Sequence, residues 1–242
     1  MELIKIEHLK KSFDEHYVLR DVNLQIEKGD ILAIIGGSGS GKSTIIRCLA
    51  GLESIDSGEI YLNDMQINHK NRSYGKIGMV FQNFNLFPHY TVLENISKPL
   101  ETVKKIEKQE ALDEAKALLS KVRLEEVSEQ YPSTLSGGQK QRLAVARSLA
   151  MKPSVIAFDE PTSSLDPELA NEVFRLIQDL AADGQTMIIV THQINAIRKI
   201  ATKVAYLRDG VIEVFGLSED VFTQTENKNL NDFLNMVEFG NL

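Results

Sequence analysis

Nine consecutive residues, Gly36, Gly37, Ser38, Gly39, Ser40, Gly41, Lys42, Ser43 and Thr44, fit the pattern G-x-x-x-x-G-K-[ST] of a phosphate-binding loop. Glycines let successive backbone N–H groups turn inward into a concave anion nest, and a following helix adds its positive dipole end at the same point. In such a loop Lys42 reaches the β- and γ-phosphates of a nucleotide and the Ser43 hydroxyl coordinates Mg2+. A second constellation closes the apolar run 155–158 with Asp159 and Glu160. Two carboxylates at the end of a buried strand suit a Mg2+ ligand (Asp159, direct or one shell out) and a group that orients or deprotonates an attacking water (Glu160). His192, just past the apolar run 187–190 and Thr191, is placed for a γ-phosphate contact. The remaining histidines, His8, His16, His69 and His89, read as structural, and none pairs at metal-ligand spacing. Finally, Ser136, Gly137, Gly138 and Gln139 open a helical run, which makes a second anion-binding helix start. A chain with two such starts either binds two ligands or shares one between copies.

These groups need particular elements beneath them. Residues 31–35 (Ile-Leu-Ala-Ile-Ile) are continuously apolar, as a strand buried on both faces is, and residues 42–49 read as the helix after the glycine loop. Leu3 to Ile6 and Val22 to Ile26 alternate apolar and polar residues, as half-buried antiparallel strands do; 58–63 and 76–81 are further short strands. From Thr91 to Met151 the pattern turns helical: Ala111, Ala115, Leu118, Leu119 and Val122 share one face. Residues 101–110 read as a charged helix surface. Asp166 and Pro167 supply an N-cap and an N1 proline to a helix whose apolar stripe is Leu169, Val173, Leu176, Ile177 and Leu180, with Gly184 as its stop. Two short helices, 218–225 and 229–236, end the chain. The expected fold is therefore α/β. A parallel-sheet core with an antiparallel β subdomain spans residues 1–83 and 151–216, a helical subdomain is inserted at 84–150, and a helical tail covers 217–242, all in one domain.

Composition bounds the rest. In 242 residues, 27 Lys and Arg stand against 34 Asp and Glu, a formal net charge of −7. That balance argues against sequence-independent nucleic-acid binding, and no nucleic-acid partner is expected. Hydrophobic content of 43% and charged content of 25% exclude disorder as the main reading. A single cysteine, Cys48, cannot form an intramolecular disulfide and reads as a small core residue in a reducing compartment. No apolar run approaches the roughly 20 residues that span a bilayer, so membrane association is expected only through a partner.

The sequence resembles the ATP-binding cassette (ABC) ATPases over essentially its whole length. The phosphate loop, Gln82, the run Leu135 to Gln139 (LSGGQ), Asp159 and Glu160, Ser164-Leu165-Asp166 and His192 occur in that family's order. The resemblance implies a P-loop ATPase with two copies facing head to tail. Each ATP would then lie between one copy's phosphate loop and the other's Ser136, Gly137, Gly138 and Gln139. It further implies Gln82 as a contact to Mg2+ and the attacking water, Asp166 at the dimer interface, and an aromatic residue, Phe13 or alternatively Tyr17, stacked on adenine. Residues 80–95 and 166–169 look like those of polar amino acid importers, which implies membrane permease subunits, an extracytoplasmic amino-acid-binding protein and a location at the cytoplasmic face of the cell membrane. The exposed aromatics Phe84, Phe87 and Tyr90 suit a partner helix. Gly37, Ser164 and Lys140 depart from the common family residues without removing a catalytic group. The competing readings are a non-transport mechanical ABC ATPase of the cell-division type and a solitary P-loop kinase. LSGGQ argues against the kinase.

Overall fold

A computed structural model describes residues 2–67, 76–224 and 226–239. Among them one ten-stranded sheet runs in the order β5-β4-β1-β2-β10-β9-β3-β8-β7-β6, built from β1 (Glu2–Phe13), β2 (His16–Glu27), β3 (Ile31–Ile35), β4 (Ser57–Leu62), β5 (Met65–Gln66), β6 (Ile77–Val80), β7 (Val155–Asp159), β8 (Thr186–Val190), β9 (Lys203–Arg208) and β10 (Val211–Leu217). Strands β6, β7, β8, β3 and β9 are mutually parallel. The alternating segments near the start pair antiparallel as expected, Ile4 opposite Ile26 and Ile6 opposite Leu24. His69 and Thr225 lie outside the described residues.

The parallel strands are apolar on consecutive residues because both faces are covered. Leu32, Ile34, Val155, Ala157, Ile188 and Val190 pack on one side against Ile45, Ile46, Cys48 and Leu49 of α1 (Lys42–Leu49) and the inner residues of β1, β2 and β4. Ala33, Ile35, Ile156, Phe158, Met187 and Ile189 point the other way, into a cluster with helices α2 (Val92–Thr102), α3 (Lys108–Lys121), α4 (Gly137–Ala150) and α5 (Pro167–Ala182). Cys48 is buried, and burial pushes its thiol up to about 12, so it is a core residue and not a nucleophile.

Local chemistry sets the helix ends. Thr91 and Glu94 form a capping box on α2, and Ser136 and Gln139 form another on α4. Asp166 caps α5 by accepting the Leu169 N–H. At the other end the Gly184 and Gln185 N–H groups donate to the Ala181 and Leu180 carbonyls, with Gly184 at φ +77°. One expectation fails: residues 101–110 are not a single charged helix. α2 stops at Thr102, and α3 begins at Lys108 because Glu107 caps it through the Gln109 N–H. The Glu107 carboxylate finds orphan N–H groups there, so the chain restarts instead of continuing. The chain ends in α6 (Ile194–Ile197), α7 (Ser218–Thr223) and α8 (Lys228–Phe239), with the Tyr206 hydroxyl donating to the Asn229 carbonyl at 3.2 Å. No described helix is long and apolar enough to cross a membrane.

Candidate functional site

The strand order brings four chain segments to one edge. In register, Val80 lies beside Phe158, Asp159 beside Val190, and Val190 beside Ile34, so the residues that follow these strands share the carboxyl edge of the sheet. Gly36, Gln82, Glu160 and His192 all arrive there, at the place where parallel α/β sheets bind ligands.

The glycine loop leaves β3 at Gly36, whose φ is +151° and whose absent Cβ would lie 2.1 Å from the Leu207 carbonyl oxygen. No side chain fits in that contact. Gly36→Ala is therefore expected to lower stability by about 2 kcal/mol or more, read as a fall in denaturation midpoint. Gly41 occupies the N-cap of α1 in the left-handed region (φ +104°) and offers no side-chain cap, so the first-turn N–H groups of α1 remain for a ligand. Among the described residues the buried Ser40 hydroxyl has no partner. Lys42 folds back over the loop, its Nζ donating to the Gly36 and Gly37 carbonyls at 3.0 and 2.8 Å. Burial lowers its pKa, an effect opposed by the Glu160 and Asp159 carboxylates. Phosphate oxygens are better partners for this cation than the neutral carbonyls it now holds.

Across from Lys42, the Ser43 hydroxyl donates to Asp159 Oδ1 at 2.5 Å, and Arg47 lies 3.3 Å from Asp159 Oδ2. A hydroxyl and a carboxylate in contact form a hard oxygen donor set suited to Mg2+, which takes few protein ligands and completes its shell with phosphate and water. No group of three or more His, Cys, Asp and Glu side chains among the described residues could hold a metal by itself, which fits that mode. Glu160 follows with φ +50°, its N–H fixed to the Val190 carbonyl. Its carboxylate meets His192 Nε2 at 3.0 Å. The pair joins two strand ends, so His192 touches the carboxylate that the sequence places at the attacking water. An unusual backbone conformation at this position marks strain held by the neighbouring strands.

The other expected residues fall into place unevenly. Gln82 is exposed, two residues beyond β6. A cavity of ≈ 530 Å3 flanks the phosphate loop, lined by Ser38, Gly39, Tyr17 and, from the chain end, Phe233. Tyr17 thus stands on its wall, whereas Phe13, 41% exposed, carries Lys11 Nζ 4.8 Å above its ring and lies at the hairpin beside it. Gly137 and Gly138 are seated against the following turn: an added Cβ would lie 2.6 Å from Leu165 and 3.2 Å from Leu169. Among the described residues none of Ser136, Gly137, Gly138 and Gln139 lines the phosphate-loop cavity. Asp166 is exposed beside them as the cap of α5. His8 pairs with Asp21 on the surface, and the His89 ring meets Tyr90 at 4.4 Å, tilted by 55°. The Phe87 ring meets Tyr90 at 5.7 Å, and Phe84 and Tyr90 are half-buried by their neighbours, so of the three aromatics expected at the surface only Phe87 is exposed.

Two residues escaped the sequence reading. Asn95 is fully buried in α2, where it accepts from the Phe87 N–H and lies within hydrogen-bond reach of the Phe87, Tyr90 and Thr91 carbonyls. A polar residue inside the stripe Val92, Ile96 and Leu100 was the available signal. Arg147 lies on the far part of α4 and reaches the carbonyls of Asn85 and Phe84. Nothing in its immediate sequence announces a partner so distant in the chain.

The profile of the ABC transporter family matches residues 19–163. The chain is 46% identical to the arginine transport ATP-binding protein ArtM of Bacillus subtilis (strain 168), over 97% of this chain and 100% of that protein. It is 42% identical to the glutamine transport ATP-binding protein GlnQ of Geobacillus stearothermophilus, over 97% and 99%. Among solved structures, cbiO1 of Clostridium perfringens, part of an ABC transporter complex, superposes with a TM-score of 0.84 at 28% identity, covering 100% of this chain and 99% of that one. A dimeric ATP-binding cassette in a post-hydrolysis state with ADP and Pi superposes with a TM-score of 0.78 at 35% identity, covering 89% and 99%.

Proposed function

The chain belongs to the ABC transporter family, and from that premise we propose that it is the ATP-hydrolysing subunit of an importer of polar or charged amino acids. The observation that carries the chemistry is the meeting of Lys42, the Ser43–Asp159 contact and the Glu160–His192 pair at one sheet edge. The cargo class comes from the relatives, whose names give arginine and glutamine transport.

ATP lies with its phosphates in the nest of residues 36–44, Lys42 exchanging the loop carbonyls for the β- and γ-phosphates. Ser43, Asp159 and Gln82 would hold Mg2+, which would supply neutralisation of the charge that develops on the phosphates. Glu160 takes the proton of the water that attacks the γ-phosphorus, and the bond to the leaving ADP oxygen breaks, giving ADP and phosphate. His192 fixes the Glu160 carboxylate and faces the γ-phosphate. Adenine stacks on Phe13 or Tyr17. Ser136, Gly137, Gly138 and Gln139 close the site of a second copy, with Asp166 at the interface between the two; the capped helix start that they form, a ready anion-binding terminus, supports this reading. ATP binding closes this head-to-tail homodimer and hydrolysis reopens it. The motion passes to permease subunits at the cytoplasmic face of the cell membrane, which in turn receive cargo from an extracytoplasmic binding protein.

The decisive experiment is purification of the tagged Glu160→Gln chain from its native membranes with ATP present. A permease arriving with an amino-acid-binding protein is the expected result, and the ligand of that protein names the cargo. Recovery of division proteins would transfer the same ATPase chemistry to a mechanical role, and recovery of the chain alone would remove the transport claim.

A further inference from the structure

Arg147 has no role in the chemistry above, yet it is among the more elaborately placed side chains of the molecule. Its guanidinium donates to the Asn85 carbonyl at 2.7 Å, lies 3.4 Å from the Phe84 carbonyl, and has its central carbon 5.0 Å from the centroid of the Phe87 ring. Among the described residues no carboxylate pairs with it. Among the described residues this half-buried cation is held by carbonyl dipoles and a ring face alone, a costlier way to cover the same surface than an apolar side chain. What the arginine supplies is direction: a planar fork that can hold two adjacent carbonyls and a ring in one arrangement.

The segment it holds needs holding. Phe84 and Asn85 are consecutive non-glycine residues in the left-handed region, with φ of +58° and +51°. Such a pair persists only where the surroundings over-determine it. At its other end the same segment is pinned by Asn95, through Phe87, Tyr90 and Thr91. Both clamps belong to the inserted helices, and the segment's start, by contrast, is continuous with β6 of the core through Gln82.

We infer that the 83–91 segment, whose aromatics Phe84, Phe87 and Tyr90 suit a partner helix, is where the permease docks, and that Arg147 is a positioning residue that locks it to the helix whose first turn carries Ser136 to Gln139. Helix α4 runs unbroken from Gly137 to Ala150, and Gln139 and Arg147 are about 12 Å apart along it at 1.5 Å per residue. A shift at the first turn therefore arrives at Asn85 and Phe87 as a rigid displacement, while Gln82, attached to the core, bends. Arg147 thus couples partner engagement to closure of the nucleotide site. The coupling role rests on the importer reading above; the clamp itself does not.

The test separates the two. A nitroxide on Asn85→Cys reports the segment in the isolated full chain, since Arg147 uses the carbonyl of residue 85 and not its side chain. The label is expected to be immobilised in the parent and mobile in Arg147→Met, with basal ATP hydrolysis of the isolated chain within about twofold of the parent, because Arg147 touches no reacting group. In the co-purified permease complex, the ratio of stimulated to basal hydrolysis is expected to fall about tenfold, as loss of a charge-assisted hydrogen bond implies. If Arg147→Met does not fold, Arg147→Lys carries the test: a single ammonium cannot span both carbonyls and the ring, and the same changes are expected in reduced measure. An immobile label in the variant overturns the clamp. A mobile label with an unchanged stimulation ratio overturns the coupling. Absence of any permease removes the importer reading and the coupling with it, while the label result on the isolated chain still decides the clamp.

Discussion

Glu160→Gln is expected to stop ATP turnover while leaving nucleotide binding intact. The amide keeps the shape of the carboxylate but cannot accept the proton of the attacking water, and loss of general-base catalysis costs about 10²- to 10⁴-fold in rate. His192 Nε2 lies 3.0 Å from the carboxylate, and a glutamine can still meet it, so the strand ends that frame the site stay in place. Lys42 and the first-turn N–H groups of α1 are untouched, so ATP still binds. If hydrolysis reopens the closed pair, as proposed, the variant accumulates as an ATP-bound dimer. Phosphate release and the oligomeric mass by light scattering, each with ATP and Mg2+, read the two halves of this expectation. Turnover at the parent rate would remove Glu160 from the mechanism. Lost turnover with a monomeric mass would remove the dimer from the cycle.

The second large effect comes from mixing two inactive chains. Lys42→Met removes the cation that replaces its loop-carbonyl contacts with phosphate, and loss of such a charge-stabilising donor costs about 10²- to 10³-fold. Ser136→Glu puts a carboxylate at a helix start argued to face the γ-phosphate of another copy, where repulsion replaces dipole attraction. Each homodimer then carries one lesion in each of its sites. In the mixed dimer both lesions fall in the same site, and the other site is intact. Hydrolysis in the mixture is expected to rise well above that of either chain alone. If each site were built within a single chain, mixing would restore nothing, because every chain would keep its own defect. The basis is the family resemblance of Ser136 to Gln139 together with the capped helix start they form.

The contact between α4 and the 83–91 segment bears on how these two effects connect. In the proposed dimer, closing a site would move the start of α4 toward a partner's phosphate, and the far part of the same helix holds the carbonyls of Asn85 and Phe84. Glu160→Gln, by holding the closed state, should therefore also hold the docking surface in one position. This makes it the right background in which to capture the permease.

Much of the site was legible from residue type and spacing because its parts are local. A glycine loop between a buried strand and a helix, two carboxylates ending an apolar run, and a serine capping a helix are written within ten residues or so, and the physics that shapes them acts over the same span. The bounds of β3, α1 and β7, the cap at Asp166 and the stop at Gly184 follow from the same short-range causes. The sequence by itself therefore determined the candidate groups and the kind of element on which each sits. Only the tertiary structure decided that β3, β8, β7 and β6 are neighbours in that order, which brings the ends of four distant segments to one edge. It also decided that the charged stretch 101–110 breaks at Glu107, that Tyr17 stands on the cavity wall beside Phe13's hairpin, and that Arg147 and Asn95 hold the 83–91 segment. Strand neighbours are chosen by burial of both faces at once, and a buried polar side chain by whichever backbone carbonyls arrive unpaired beside it. Both depend on contacts across the whole chain, such as that between Asn85 and Arg147 at a sequence separation of 62, that no local pattern records.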